Sequence, residues 1–351
     1  MKFLKLKTLL ASSLIGAMAL VSLPAQAVPQ VEFWGWMQKF IETDNISGCE
    51  GDICKPGVRL SSFISKVGIK VTEPMHDTQE GLKFIFHLDT AYFSDAPTEN
   101  NHEAGPRSRD IAIGDERALA KFENKRLGYS IGFGRDAHTL WKVLRSVAPL
   151  GDLHGTILGE IHSRQKLRIN NATFISYTIP KTGLTVNTEY GFSERDGKED
   201  KMGGGLDWRP HKDVRLTLNH FQSGEPSAGF LEEDNSTLLT AGYYGIENWK
   251  FVIYHSDDRF KDVDSRGTSY HVFNQITPKW SVGAVYGHRD TSSVKGYQLG
   301  ANYAFTKNLT LQMRATHQTA DEVIKFTTPN DLGGLNGTDR TNLGVGLRFT
   351  F

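Results

Sequence analysis

Three sets of residues in this chain have the types and the spacing that chemistry requires. Gly128-Tyr-Ser-Ile-Gly132 has the G-x-S-x-G form of a serine nucleophile, which acts from a sharp strand-to-helix turn beside a base. The only two cysteines, Cys49 and Cys54, could form a disulfide or contribute to a metal site. The N-glycosylation pattern Asn-x-Ser/Thr begins at Asn171, Asn235, Asn308 and Asn336. Each possibility depends on the element that holds the residues.

The surroundings of these residues disfavour catalysis, metal binding and glycosylation. The serine motif lies inside an alternating stretch whose apolar members are Leu127, Tyr129, Ile131 and Phe133, so it belongs to a strand with small residues on its other face. Glu50 and Asp52 are not a convincing ligand set beside the cysteines. A disulfide between Cys49 and Cys54 is predicted instead, because an exported chain meets oxidising conditions. We expect no catalysed reaction, no cofactor and no metal, and we interpret the Asn-x-Ser/Thr matches as chance.

Alternation of apolar with small or polar residues is the dominant pattern of the whole chain. The last eleven residues show it without exception, with Leu343, Val345, Leu347, Phe349 and Phe351 on one face and Asn342, Gly344, Gly346, Arg348 and Thr350 on the other. A strand with one apolar and one small, polar face suits a wall between lipid and water, although the edge strand of a soluble β-sandwich has the same pattern. Further alternating segments from residue 31 onward predict an all-β fold of about sixteen strands.

The connections between these segments separate the two alternatives. Short connections rich in turn formers lie at 124–126, 180–183, 209–213, 277–279 and 306–308. Long connections are predicted between them, at 43–62, 94–115, 136–167, 223–235, 257–267 and 318–340. Short turns at one end and long loops at the other are typical of an outer-membrane barrel, whereas a sandwich has no reason to alternate them. An even number of antiparallel strands also closes the sheet, so that no edge stays unpaired.

The start of the chain and its composition agree with export. Residues 1–27 carry Lys2, Lys5 and Lys7, an apolar stretch over 9–23 and a small-x-small end, the form of a removed signal peptide; residues 28–351 are then one domain. No later window approaches 18 uninterrupted apolar residues, and the mean hydropathy is −0.38. Without the 3 lysines of the signal, 37 basic residues face 40 acidic ones, a balance that excludes nucleic acid as a partner.

Taken together, the chain resembles the general porins of Gram-negative bacteria, in particular the Neisseria-like group of proteobacteria. The resemblance rests on Val31-Glu-Phe-Trp-Gly35, on Gly132-Phe-Gly-Arg135 at the end of the fifth strand, on the strand from Asn171 to Pro180 and on the C-terminal Phe351. It implies a sixteen-stranded transmembrane β-barrel, a homotrimer among outer-membrane lipids and passive conduction of ions and small hydrophilic solutes. It also implies that Phe351 serves as an assembly signal.

In that family the third external loop folds into the pore and narrows it. The corresponding segment here is 137–166, which contains Asp152, Glu160 and Arg164 together with Trp141 and Arg145. Acidic groups on the loop that face basic groups on the wall would set the ion preference. The alternation directs Lys66, Lys121 and Arg168 inward, as candidates for the wall. Arg135 matches the family by motif, but strict alternation directs it outward unless the strand is locally irregular.

The tryptophans of the first strand allow a further hypothesis. Trp34 and Trp36 could line a sugar path, which would make the protein a substrate-specific channel, but anchoring at the lipid headgroups is the favoured interpretation. The aromatic residues that fit such girdles equally well are Tyr129, Tyr190, Tyr243, Tyr286, Tyr303, Trp249, Trp280 and Phe351. A barrel enzyme with active groups at the rim is a third possibility, without a matching set of residues.

Overall fold

The computed structural model of the protein describes residues 28–48, 57–62, 65–75, 79–92, 117–137, 139–140, 142–143, 168–192, 201–223, 234–260, 263–326 and 335–351. Within these residues the chain forms the strands β1 (Gln30–Ser47), β2 (Gly57–Ser62), β3 (Ser65–Pro74), β4 (Leu82–Tyr92), β5 (Arg117–Asn124), β6 (Tyr129–Ala137), β7 (Arg168–Ile179), β8 (Leu184–Gly191), β9 (Lys201–His211), β10 (Val214–Ser223), β11 (Asp234–Tyr243), β12 (Trp249–Phe260), β13 (Val263–Gln275), β14 (Trp280–Arg289), β15 (Val294–Ala304), β16 (Leu309–Phe326) and β17 (Leu335–Thr350). A short 3-10 helix, Thr291–Ser293, joins β14 to β15.

The strands form one closed antiparallel barrel with sixteen positions. β2 and β3 share one position, because β2 pairs with residues 39–44 of β1 and β3 pairs with residues 30–36. The other edge of β1 pairs with β17, from Trp36 opposite Thr350 to Ser47 opposite Asp339, and this ladder closes the sheet. The predicted sixteen-stranded barrel is thereby confirmed. A barrel of this size leaves an aqueous channel at its centre.

The side chains of the barrel are arranged inside out relative to a soluble protein. On β17 the apolar Leu343 and Val345 are 53% and 51% exposed on the outside, whereas the polar Arg340 and Asn342, on the alternate parity, are each 1% exposed on the inside. Period-two alternation places successive side chains on opposite faces, so every such strand contributes to an apolar exterior and a polar interior. This is the distribution of a barrel surrounded by lipid and filled with polar groups and water.

The two ends of the barrel differ in their connections, as predicted, but the predicted long loop over 318–340 is wrong in its bounds, since β16 continues to Phe326 and β17 begins at Leu335. The connections at one end are short, at 75–81, 125–128, 180–183, 212–213, 244–248, 276–279 and 305–308. Gly128 ends one of these turns with φ +77°, and a Cβ there would lie 2.5 Å from the carbonyl oxygen of Thr178. The first glycine of the G-x-S-x-G motif therefore serves a turn.

The prediction of a long loop over 257–267 at the other end is wrong. β12 continues to Phe260 and β13 begins at Val263, so only two residues separate them, and Thr291–Ser293 makes a second short connection at this end. The charged run from Asp257 to Arg259 continues the strand alternation: Asp258 is buried and accepts a hydrogen bond from Ser236, while Asp257 faces outward near Arg266. Polarity alone was a poor sign of a loop because an inward position of this barrel accepts charge.

Outward-facing aromatic residues border the apolar exterior. Tyr270, Tyr286 and Tyr297 lie directly opposite one another across β13, β14 and β15, near the long-loop end. Trp280 and Tyr303 pack against each other near the short-turn end, with ring centroids 4.8 Å apart. The predicted girdle residues Tyr190, Tyr243, Trp249 and Phe351 are also exposed on the outside.

None of the helices in the described part of the chain is long and apolar enough to cross a membrane.

Candidate functional site

The inner wall of the barrel is the candidate site, because the alternation directs charged side chains of both signs into one enclosed space. The inward acidic residues on the described strands include Glu42, Asp44, Asp89, Glu123, Asp136, Glu189, Asp207 and Asp258. The inward basic residues include Lys66, Arg117, Lys121, Arg215, Arg289, Arg314, Arg340 and Arg348. Their distribution around the wall, rather than their near balance, determines the field that a solute meets.

One charged network lies where the barrel closes. The Arg314 guanidinium on β16 donates to Glu42 on β1, and both side chains are 0% exposed. Arg340 on β17 donates through Nε to Asp44, with a distance of 2.8 Å. Asn342 lies between the two pairs: its amide donates to Asp44 Oδ1 at 2.9 Å and its oxygen accepts from Arg314 Nε at 3.1 Å. The network ties three strands together across the lumen face.

A second network lies on β4, β5 and β6. The Arg117 guanidinium donates through Nε to Asp136 Oδ1 at 2.8 Å and through Nη1 to His87 Nδ1 at 3.1 Å. His87 Nε2 lies 2.7 Å from Asp89 Oδ1, so the imidazole bridges the arginine and a carboxylate. Lys142, from the segment that follows β6, places its Nζ 2.7 Å from Asp136 Oδ2. The wall and the start of the third loop therefore share one ion-pair network.

The start of the third loop packs inside the barrel. Residues 139–140 and 142–143 are helical, and Leu140 and Val143 are buried in an apolar cluster with inward residues of four strands, Ile169, Ala172, Phe221, Leu238, Val252 and Tyr254. Thr139 donates to the Glu189 carboxyl group of β8 through its backbone N–H, at 3.0 and 2.8 Å, and through its hydroxyl, at 2.8 Å. The chain thus turns into the lumen as soon as it leaves β6.

The predicted site residues are only partly within the described residues. Lys121 faces the lumen, with its Nζ 2.5 Å from Glu123 Oε2, and Lys66 also faces inward, with its Nζ 5.4 Å from the centroid of the Trp36 ring. Arg168 begins β7, where its backbone pairs with Ala137. The structure does not describe its side chain. The remaining predicted residues outside the described ranges are Asp152, Glu160, Arg164, Cys49 and Cys54.

Arg135 lies at a local irregularity of β6. The register between β6 and β7 shifts between Gly134 and Asp136, and Gly134 has φ +127°. On the other side, Arg135 pairs with Ala118 of β5, a position between the inward-facing Arg117 and Leu119. The register with β5 therefore keeps Arg135 on the outward parity, as strict alternation predicts, while the irregularity is present on the side of β7.

The favoured interpretation of Trp34 and Trp36 as headgroup anchors is wrong. Both face the lumen, on the same parity of β1 as the buried Gln38 and Glu42, whereas Phe33 is exposed outside. Residue type suggested an interfacial ring, but the pairing of the strand with β17 and β3 fixes which face is inside. The parity of the polar residues further along β1 was the signal that could have corrected the prediction.

The G-x-S-x-G segment has no nucleophile geometry. Ser130 lies in the regular ladder of β6 opposite Ser176, and the two hydroxyl oxygens are 2.9 Å apart. The turn of this motif precedes the serine, at Gly128, whereas a nucleophile elbow turns at the serine itself. Among the described residues, no group of three or more His, Cys, Asp and Glu side chains could hold a metal ion.

Comparison with known proteins agrees with this architecture. A family model described as Gram-negative porin matches residues 14–322. The chain belongs to the Gram-negative porin family. A comparison with curated proteins gave no match.

Several solved structures share the fold of this porin at low sequence identity. The anion-selective porin from Comamonas acidovorans superposes with a TM-score of 0.70 and 18% identity, over 92% of this chain and 100% of that one. The in-vitro folded OmpT of Vibrio cholerae gives a TM-score of 0.65 at 13% identity, over 94% and 100% of the two chains. OmpF of Salmonella typhi in complex with daunomycin gives a TM-score of 0.64 at 14% identity, over 92% of this chain and 97% of that one. This porin is accordingly an outer-membrane channel for passive diffusion.

Proposed function

We propose that this porin conducts ions and small hydrophilic solutes without catalysing a reaction, and that its third loop opposes the basic wall to set the ion preference. The supporting observation is the docking of Thr139, Leu140 and Val143 on the inner wall, which starts the loop inside the pore. Asp152, Glu160 and Arg164 follow on that loop, and Lys66, Lys121 and Arg168 are the wall candidates, whereas the outward register of Arg135 removes it from the wall. A charged constriction filters ions through its field and its radius.

Neutralising the loop carboxylates tests this assignment. We expect the double variant Asp152→Asn/Glu160→Gln to lower the cation-to-anion permeability ratio by about 2–5-fold, since losing two carboxylates near an ion path removes roughly 0.5–1 kcal/mol of attraction for a cation. Reversal potentials in a salt gradient across planar bilayers measure the ratio. Glu80→Gln, an exposed change at the short-turn end, is the control. An unchanged ratio would remove both loop residues from the filter.

We also propose a homotrimer whose contact surface lies on β17, β1 and β3–β5. Among the described side chains, the outward Tyr and Trp residues occur on β6–β15, whereas the outward aromatics of the proposed surface are phenylalanines: Phe33, Phe84, Phe86, Phe122, Phe349 and Phe351. Tyr and Trp gather where a barrel meets the lipid–water boundary, so a sector without them is a suitable subunit interface. One Vibrio cholerae OmpT structure is described as a trimer form.

A pair of alanine variants tests the location of the contact. Phe84 and Phe122 pack together on the outside of β4 and β5, with ring centroids 5.3 Å apart. We expect Phe84→Ala/Phe122→Ala to weaken trimers by about 2 kcal/mol or more per contact, as loss of aromatic interface residues does. The dissociation temperature on non-denaturing gels reports this. Trp249→Ala/Phe251→Ala removes a stacked pair from the opposite sector and should leave that temperature unchanged; equal shifts would contradict the assigned surface.

Three further proposals concern export and assembly. We propose that residues 1–27 are a removed signal peptide, that Cys49 and Cys54 form a disulfide after export, and that Phe351 is the assembly signal. Phe351 exchanges two backbone hydrogen bonds of 3.0 Å with Gly35, and a Cβ at Gly35 would lie 2.5 Å from the Phe351 ring. The C-terminal residue thus fastens the last strand to the first.

A substrate-specific channel is the second candidate, because Trp34 and Trp36 face the lumen. Single-channel recording separates the candidates. Large ohmic steps in groups of three support the general porin, block by one solute at micromolar to millimolar concentration supports the specific channel, and absence of conductance would contradict both.

A further inference from the structure

Two tryptophan rings lie side by side on the inner wall, in a lumen that is otherwise largely polar. Trp34 and Trp36 are both partly exposed, and their ring centroids are 5.5 Å apart with planes 31° from parallel. A Cβ at Gly68 of β3 would lie 2.6 Å from the Trp34 ring, so the absence of a side chain there lets the indole approach the wall closely. An aromatic surface in contact with channel water offers a ligand two flat apolar faces, and covering them is favourable.

Two cations accompany the tryptophans. The Arg348 guanidinium carbon of β17 lies 5.1 Å from the Trp36 ring centroid, and Lys66 Nζ of β3 lies 5.4 Å from it. Lys66 is 6% exposed, whereas Arg348 is partly exposed and can be reached from the lumen. No ion pair of Arg348 with a carboxylate occurs among the described residues. Stacking on the indole orients a guanidinium without neutralising it, so its N–H donors stay available to an anion.

The polar side chains of Gln38 and Asp89 beside the tryptophans are buried in the wall. The Gln38 amide donates to Gln312, and Asp89 lies against His87 and Arg117. His87 in turn contacts Trp34 edge-on, with centroids 5.7 Å apart. Sugar hydroxyls bind to carboxylates and amides that are open to the lumen, whereas Gln38 and Asp89 are buried. Trp36 and Arg348 instead present an aromatic face beside a positive charge to the lumen. The surface therefore favours a flat anion over a neutral sugar.

We propose that Trp34, Trp36 and Arg348 form a lumenal binding site for planar organic anions of the aromatic carboxylate class. The flat body of the ligand stacks on the indoles, and its carboxylate accepts paired hydrogen bonds from the Arg348 fork. Lys66, whose Nζ lies 5.4 Å from the Trp36 ring centroid, adds positive charge to the site. This inference rests on the proposed function, since the site must line a conducting pore, and it gives the second candidate function a substrate class.

Three probes of similar size test the site in single-channel recordings of the wild-type protein. Benzoate carries the ring and the charge, cyclohexanecarboxylate carries the charge without the flat ring, and benzamide carries the ring without the charge. We expect benzoate to reduce the current at least ten-fold more potently than either of the others. Equal potency of benzoate and cyclohexanecarboxylate, or stronger block by benzamide, would overturn the proposal, and so would stronger block by glucose in a separate recording.

Variants then locate the block. Arg348→Gln and Trp36→Leu should each weaken the block by benzoate about ten-fold, whereas two matched controls should keep it: Arg215→Gln, a lumenal arginine paired with Asp207, and Trp280→Leu on the outer surface. Unchanged block in Arg348→Gln would contradict the site even if Trp36→Leu failed to fold. A protein without ohmic steps before benzoate is added would contradict the proposed channel instead, so the two failures are distinguishable.

Discussion

Glu42→Ala is expected to lower the free energy of unfolding by about 3–5 kcal/mol, because it leaves Arg314 buried without its carboxylate partner. Both side chains are 0% exposed, so water cannot replace the lost partner. The lost interaction lies at the seam of the barrel, which is the β1–β17 ladder that closes the sheet together with the adjacent strand β16. Equilibrium unfolding of the refolded protein by urea in lipid vesicles, followed by tryptophan fluorescence, measures the difference.

Two further variants separate the buried pair from charge in general. Glu80→Ala removes an ion pair with Arg126 at the short-turn end, where the side chains are 78% and 64% exposed, and should cost less than about 1 kcal/mol. Glu42→Leu/Arg314→Leu removes both buried charges and should cost less than Glu42→Ala, since no isolated charge remains. Equal losses in Glu42→Ala and Glu80→Ala would show that the seam is open to water.

The alternation of the sequence predicted the barrel because in each strand apolar residues mark the outer face and small or polar residues mark the inner face. In residues 342–351 the apolar side chains that alternate in the sequence, such as Leu343 and Val345, lie outside the barrel, and polar ones such as Asn342 lie inside. The number of strands was also accessible, although β2 and β3 together fill one position. The ends of the strands could not be predicted in the same way. Asp257, Asp258 and Arg259 were assigned to a loop because polar runs form loops in most proteins, whereas in this barrel polar residues also line the lumen.

The candidate site was harder to predict from the sequence than the fold. Parity correctly directed Lys66 and Lys121 inward, since it needs only the local pattern. The partners of those residues depend on which strands meet, and the pairing of Glu42 with Arg314 joins residues 272 positions apart in the chain. The tryptophans were misjudged for a related reason, since their residue type fits both a headgroup and a pore, and only the ladder with β3 and β17 decides between them.

Leu299→Arg is expected to cost about 2–4 kcal/mol of folding free energy, the penalty of an arginine on the lipid face near the middle of a membrane barrel. Leu299 is 57% exposed on the outside of β15, two residues from Tyr297 and four from Tyr303, the outward tyrosines that mark the two borders of the apolar band on this strand. The same urea titration in vesicles gives the value.

His288→Arg places the same charge on the same outer surface, beyond the tyrosine row. His288 follows Tyr286 on the outward face of β14 and lies opposite Lys295, so it is already at a polar level. An arginine there should cost no more than about 1 kcal/mol, because the penalty falls toward the membrane boundary. The depth of each site in the membrane would then explain why the same arginine lowers the folding free energy more at Leu299 than at His288. If both variants were equally stable, the outer surface would be facing water rather than acyl chains, and the polar interior could no longer be assigned as the only aqueous route through the barrel.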